Sequence, residues 1–229
     1  HAYQHREHPD VFERMKNREH SDMTAALQAA VEGDATRYGF AAMVPDGSEL
    51  PDPETFRIEG EAEVESGASG ALAEAPALLR LTLAFPYTRG YPLSMAEGPT
   101  LLRDPPASTE QVLHADRRRA DFQAIDLAPL EARLPDGCSR LYVDTLGELG
   151  ISVLLRDLGD AGSAAAWDGW DGDRFVTASC AAGGAFLWWT EWDSERDAEE
   201  FGAAYRAIAP AVQARGGLAA APEVRVEAR

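Results

Sequence analysis

The chain has 229 residues, 45% of them hydrophobic, enough to bury a core at the upper end of one domain or in two small ones. Its 39 acidic residues against 21 basic ones give a net charge of -18, which repels phosphate backbones and anionic headgroups and argues against nucleic acid as a partner. No apolar run reaches the roughly 20 residues of a membrane span; the longest candidate, Ala181 to Trp189, is broken by Gly183 and Gly184.

In chain order, residues 1 to 8 read as a polar helix that Pro9 closes. A second helix is expected from Ser21 or Asp22 as N-cap, with Leu27, Val31 and Tyr38 near helical spacing. The stretch from Pro45 to Gly70 is rich in Pro, Glu, Gly and Ser and reads as a surface loop or insertion, with order resuming at Ala71. Ala75 to Phe85 is apolar enough for a buried helix, ended or kinked by Pro86-Tyr87-Thr88-Arg89-Gly90. Ser108 or Thr109 caps a short helix through Glu110, Gln111 and His114. Asp144 or Thr145 caps a stronger one, with Leu146, Leu149, Val153 and Leu154 on one face.

Arg174 to Cys180 and Ala185 to Trp192 alternate as two antiparallel strands around a turn at Gly183-Gly184, with Phe186, Trp188 and Thr190 on one face and Leu187 and Trp189 on the other. Ser194 then caps an amphipathic helix bearing Ala198, Phe201, Tyr205 and Ile208. The expected fold class is α+β: mainly helices to residue 160, then a hairpin and a closing helix, in a single domain over 1–215 with a flexible tail over 216–229. Cys138 and Cys180 are too few for a disulfide framework and lack C-x-x-C spacing, leaving one bridge open.

Asp168, Asp171 and Asp173 lie among glycines, but they lack the ligand pattern of a Ca²⁺ loop and read as a turn into the strand at Arg174. The tryptophans at 167, 170, 188, 189 and 192 read as core and cross-strand packing. The run Arg117 to Arg119 is too small, in so acidic a chain, to argue for nucleic acid.

Two short blocks carry the chemistry. The segment His1-Ala2-Tyr3-Gln4-His5-Arg6-Glu7-His8, with Val31-Glu32-Gly33-Asp34-Ala35 after it, resembles the region from the second zinc-motif histidine onward in bacterial and archaeal gluzincin-type metallopeptidases. In that family a helix carries H-E-x-x-H, and a later helix supplies a glutamate within E-G-[DE]-A. Two histidines four apart share one helical face and bind Zn²⁺ through ring nitrogens, while the Glu between them activates the metal-bound water. The resemblance continues in order through Phe85-Pro86-Tyr87-Thr88-Arg89-Gly90, Pro105 to His114, Asp144 to Gly150, Trp170 to Arg174 and Trp189 to Ser194. After His114 the usual Pro-Glu-Lys-Tyr is replaced by Ala115-Asp116-Arg117-Arg118.

The resemblance implies a zincin-like fold, zinc as cofactor, a peptide or protein substrate, and His1 and Glu32 as metal ligands. It also implies Tyr87 and His114 as donors to a tetrahedral intermediate, and an extracellular or lipid-anchored parent protein. The first motif histidine and the general-base Glu would precede residue 1, so the chain is expected to be inactive alone. A natural N-terminus that is processed or lies upstream fits a chain starting at His1 rather than Met. His5, four residues after His1, could offer a substitute ligand but no base. Two rivals stand beside this reading: a non-catalytic binding or cell-envelope module that keeps the peptidase fold, and a copper brace on an N-terminal His. The second is disfavoured by helical patterning where a β-sandwich would be needed.

Overall fold

The computed structural model describes residues 1–229 except 46, 67–73, 119–120, 122–123, 160–163, 182, 217–221 and 227–229. The expected restart of order at Ala71, Arg119 of the arginine run and most of the expected tail lie outside the described residues. The architecture is α+β, and the chain divides into two compact units, His1–Ala120 and Asp121–Arg229, where the sequence reading expects one domain over 1–215.

The first unit is helical. Helices α1 (Ala2–Glu7) and α2 (Pro9–Arg14) lead into the long α3 (Ser21–Met43). Pro9 does more than close α1: it occupies the first turn of α2, where its missing N–H costs nothing. The buried face of α3 carries Ala25, Ala26, Leu27, Ala29, Ala30 and Val31, small enough for close neighbours. Asp22 does not cap α3 as the sequence suggests. Its carboxylate instead accepts from the backbone N–H of Thr109, at 3.1 Å, and from the Thr109 hydroxyl.

Helix α4 (Pro53–Glu65) occupies much of the stretch expected as a loop. Its start is conventional, because the Asp52 carboxylate accepts from the Thr55 N–H at 2.8 Å and Pro53 sits in the first turn. Arg57 then pairs with Glu54 and Glu61 along the helix, and Glu61 reaches Arg89. Phe56 packs edge-on against Phe40 and Tyr91 at centroid distances of 5.7 and 4.9 Å, and the Tyr91 hydroxyl donates to the Pro51 carbonyl.

Helices α5 (Ala77–Thr88) and α6 (Gly90–Glu97) meet at Arg89, with Pro86 inside the last turns of α5. The expectation of a buried α5 is corrected: Leu78, Leu79 and Leu83 are 43–51% exposed, and burial is confined to Phe85, Pro86 and Thr88. Gly33 of α3 lies against Gly90; a Cβ on Gly33 would stand 1.9 Å from the Gly90 carbonyl oxygen. Side chains larger than hydrogen are excluded on both sides of that crossing. A short α7 (Glu110–Leu113) comes next, held by the Ala107 N–H donating to Gln111 Oε1 at 2.8 Å and by the Asp22–Thr109 bonds.

The second unit holds α8 (Ala128–Glu131), β1 (Ser139–Asp144), α9 (Gly147–Leu158), β2 (Trp170–Cys180), β3 (Gly183–Trp192) and α10 (Glu195–Gly216). The strands form an antiparallel sheet in the order β1-β2-β3. Strand β1 is absent from the sequence reading. The hairpin β2–β3 forms as expected, with Phe175 opposite Trp188 and Val176 opposite Leu187, but Gly183 and Gly184, expected as the turn, are strand residues paired with Cys180 and Ser179.

Each sheet face has its own core. Trp188 and Trp192 meet Phe201 of α10, with Trp192 stacked at 4.7 Å, and Trp188 also meets Tyr205. On the other face Leu187 and Trp189 pack with Val143, Val176 and Leu130. Ser194 caps α10 as expected, its hydroxyl oxygen accepting from the Asp197 N–H. Cys138 and Cys180 form a disulfide that ties the chain just before β1 to the end of β2.

Helix α9 is capped from a distance. Neither Asp144 nor Thr145 serves. Asp173, on β2 and buried, accepts from the Leu146 and Gly147 N–H groups at 2.9 and 2.8 Å, and from Trp170 and Trp188 Nε1 at 3.1 and 2.8 Å. Of the expected face, Val153 is buried and Leu146 and Leu154 pack partly buried against the core, but the most deeply buried core positions of α9 also include Ile151 and Leu155, which the sequence reading did not place there. Burial pushes the Asp173 carboxyl above the ordinary carboxylate range, and the four donors pull against that shift.

Candidate functional site

Two of the four sequence candidates meet. His1 Nε2 lies 3.4 Å from Glu32 Oε2, the histidine ahead of α1 and the glutamate on α3. The pair is partly open to solvent, with side chains 52% and 27% exposed. The other two stand apart in the sequence of elements: Tyr87 is on α5 and 51% exposed, and His114 is half-buried at the C-terminus of α7.

The other ring nitrogen of His1 is held from within α1. His1 Nδ1 lies 2.8 Å from Gln4 Oε1, across the i, i+3 spacing that aligns side chains along a helix. Gln4 is 5% exposed in an otherwise exposed helix. Its amide nitrogen donates to the Val31 carbonyl at 3.0 Å and to Asp34 Oδ2 at 2.9 Å. The second Asp34 oxygen accepts from Arg37 at 3.1 Å, and the Arg37 Nε donates to Ser94 Oγ at 3.0 Å. A chain of hydrogen bonds therefore runs from Ser94 through Arg37, Asp34 and Gln4 to the imidazole.

Gln4 and Asp34 have no role in the sequence reading, although both fall inside the motif blocks. The usable signal was position, since Gln4 shares a helix face with His1 and Asp34 lies two residues after Glu32. Their anchoring depends on contacts 27 and 30 residues apart, which one sequence does not display.

Imidazole nitrogen and carboxylate oxygen are the donors that zinc takes in hydrolases, and two ligands about 2 Å from one tetrahedral ion stand about 3.3 Å apart. The His1–Glu32 separation fits two such ligands. Among the described residues, however, no group of three His, Cys, Asp or Glu side chains converges. His5 does not supply the third: its ring packs on Phe12 at 4.9 Å. The residues present thus fit part of a zinc centre and not a whole one, and they support no hydrolytic step alone.

Residues 139–228 match a family model described as "Domain of unknown function (DUF8575)", a segment that begins at β1 and contains none of His1, Gln4, Glu32, Tyr87 and His114. No curated protein and no solved structure matches the chain.

Proposed function

We propose that the first unit carries part of the metal centre of a gluzincin-type zinc peptidase, with His1 and Glu32 as two protein ligands and the third ligand and general base supplied from outside these 229 residues. The observation that carries the reading is the 3.4 Å approach of an imidazole nitrogen to a carboxylate oxygen across two helices, at positions the motif resemblance selects independently. Tyr87 and His114 are the proposed donors to the tetrahedral intermediate, and a peptide or protein is the proposed substrate. The Cys138–Cys180 disulfide supports an extracellular or lipid-anchored parent, because such bridges persist in oxidising compartments.

Calorimetric titration with Zn²⁺ tests the pair. The chain is expected to bind weakly, since two ligands capture the ion poorly, and His1→Ala and Glu32→Gln each to abolish that binding. Glu32→Gln is the sharper variant, because it leaves the histidine in place. Extending the chain by H-E-x-x in helical continuity with His1 should give tight binding and a chelator-sensitive cleavage of fluorogenic peptides. If neither substitution alters zinc uptake, the pair is not a metal site. If the extended chain binds zinc tightly yet cleaves nothing across a broad peptide panel, the chain belongs to a non-catalytic module that keeps the peptidase fold.

A further inference from the structure

We infer that Gln4 is a positioning residue that holds the neutral His1 imidazole in the Nδ1–H tautomer, so that the Nε2 lone pair faces Glu32. The inference rests on the reading of His1 and Glu32 as ligands only for its purpose; the tautomer itself comes from hydrogen-bond arithmetic.

The orientation of the Gln4 amide is fixed by its surroundings. Its –NH₂ group has two hydrogens, and the two groups facing it, the Val31 carbonyl and Asp34 Oδ2, can only accept. Turning the amide over would set its oxygen against both acceptors in a buried position and leave both without a donor. The amide oxygen is therefore committed to His1. At 2.8 Å from Nδ1, it requires a proton on that nitrogen.

The competing tautomer would place its proton on Nε2 and donate to Glu32. That bond would span 3.4 Å between partly exposed groups. It would also leave the Nδ1 lone pair facing the Gln4 oxygen at 2.8 Å, one acceptor against another. A short bond to a clamped buried amide outweighs a long bond at the surface, so Nδ1 keeps the proton. Two acceptors, Nε2 and the Glu32 carboxylate, then face each other. That arrangement leaves room for a cation such as a metal ion between them. Zinc-binding histidines are oriented by this kind of bond to the ring nitrogen that does not touch the metal.

Asp34 and Arg37 extend the clamp. Asp34 Oδ2 fixes Gln4, while Arg37 occupies Oδ1 and is itself tied to Ser94. The aspartate of the E-G-D-A block thereby acts on His1 through Gln4, one residue beyond the glycine next to the proposed ligand.

The test is the two-bond ¹H–¹⁵N spectrum of the histidine rings in the full chain, metal-free, near pH 8, where most imidazoles are neutral. His1 is assigned by the signals missing from His1→Ala, a change at an exposed residue. The expected result is a ring protonated at Nδ1. Gln4→Met, which keeps the length and removes both hydrogen-bonding ends, should shift His1 to mixed or Nε2–H signals and weaken zinc binding by about 10–100-fold. An Nε2–H signal for His1 in the unsubstituted chain overturns the inference whether or not any variant folds. So does an unchanged Nδ1–H signal in folded Gln4→Met. If the tautomer behaves as expected and zinc does not bind, the ligand reading fails while the positioning role of Gln4 stands.

Discussion

Replacing Asp173 with Asn should unfold the second unit far more readily than the loss of one formal charge suggests. The carboxylate accepts four hydrogen bonds, two on each oxygen: Leu146 N–H and Trp188 Nε1–H on Oδ2, Gly147 N–H and Trp170 Nε1–H on Oδ1. An asparagine keeps one accepting oxygen and turns an –NH₂ group toward the other two donors. Two donors then lose this acceptor in a buried site, at about 1–3 kcal/mol each. Asparagine also escapes the desolvation that pushes the carboxyl upward, which offsets part of the loss. A net loss of about 3 kcal/mol is expected, or a fall of roughly 12–24 °C in Tm for a unit of about 100 residues. Urea unfolding monitored by tryptophan fluorescence is the assay, because all five tryptophans belong to the second unit and two of them bond Asp173 directly. A loss below about 1 kcal/mol would refute the dependence of α9 on this remote cap.

Three other perturbations draw on the same geometry. Reducing the Cys138–Cys180 bridge, which closes a sequence separation of 42 residues, should lower stability by about 4 kcal/mol on chain-entropy grounds, read as the change in urea midpoint with and without dithiothreitol. Gly33→Ala should cost more than about 3 kcal/mol, measured by circular dichroism at 222 nm, because its methyl would stand 1.9 Å from the Gly90 carbonyl oxygen and force α3 and α6 apart. Asp22→Ala should cost about 2–4 kcal/mol by removing the carboxylate that the buried Thr109 N–H and hydroxyl both reach, and proteolysis near 105–113 should accelerate.

The hairpin and α10 were legible because their information is local: alternation assigned Trp188 and Leu187 to opposite faces, and Ser194 stood three residues before Asp197. Strand β1 was not, since Ser139 to Tyr142 are exposed and a bulge between Arg140 and Tyr142 interrupts alternation over six residues. For α4 the start signal was present in Asp52-Pro53-Glu54-Thr55, but it was outweighed by a Glu-, Gly- and Ser-rich composition whose charges in fact pair along the helix. The cap of α9 was hidden because Asp173 lies 26 and 27 residues from the amides it satisfies. Of the candidate site, the pairing of His1 with Glu32 came from motif resemblance, whereas no periodicity announced the buried anchors of Gln4.

The E-G-D-A block gains a physical reading from its glycine. On α3, Gly33 faces the α6 backbone so closely that its own substituent must be hydrogen, and Gly90 is constrained reciprocally, its Cβ position lying 2.3 Å from the Ala29 carbonyl oxygen. The P-Y-T-R-G block that ends in Gly90 is therefore the steric partner of the E-G-D-A block. The neighbours of Gly33 turn about 100° to either side. Glu32 on one side meets His1, and Asp34 on the other clamps Gln4, which holds the same imidazole. A backbone contact with no adjustable side chain thus fixes the segment of α3 from which Glu32 reaches His1 directly and Asp34 reaches it through Gln4, the kind of positional precision that the proposed shared cation between Nε2 and Oε2 would require.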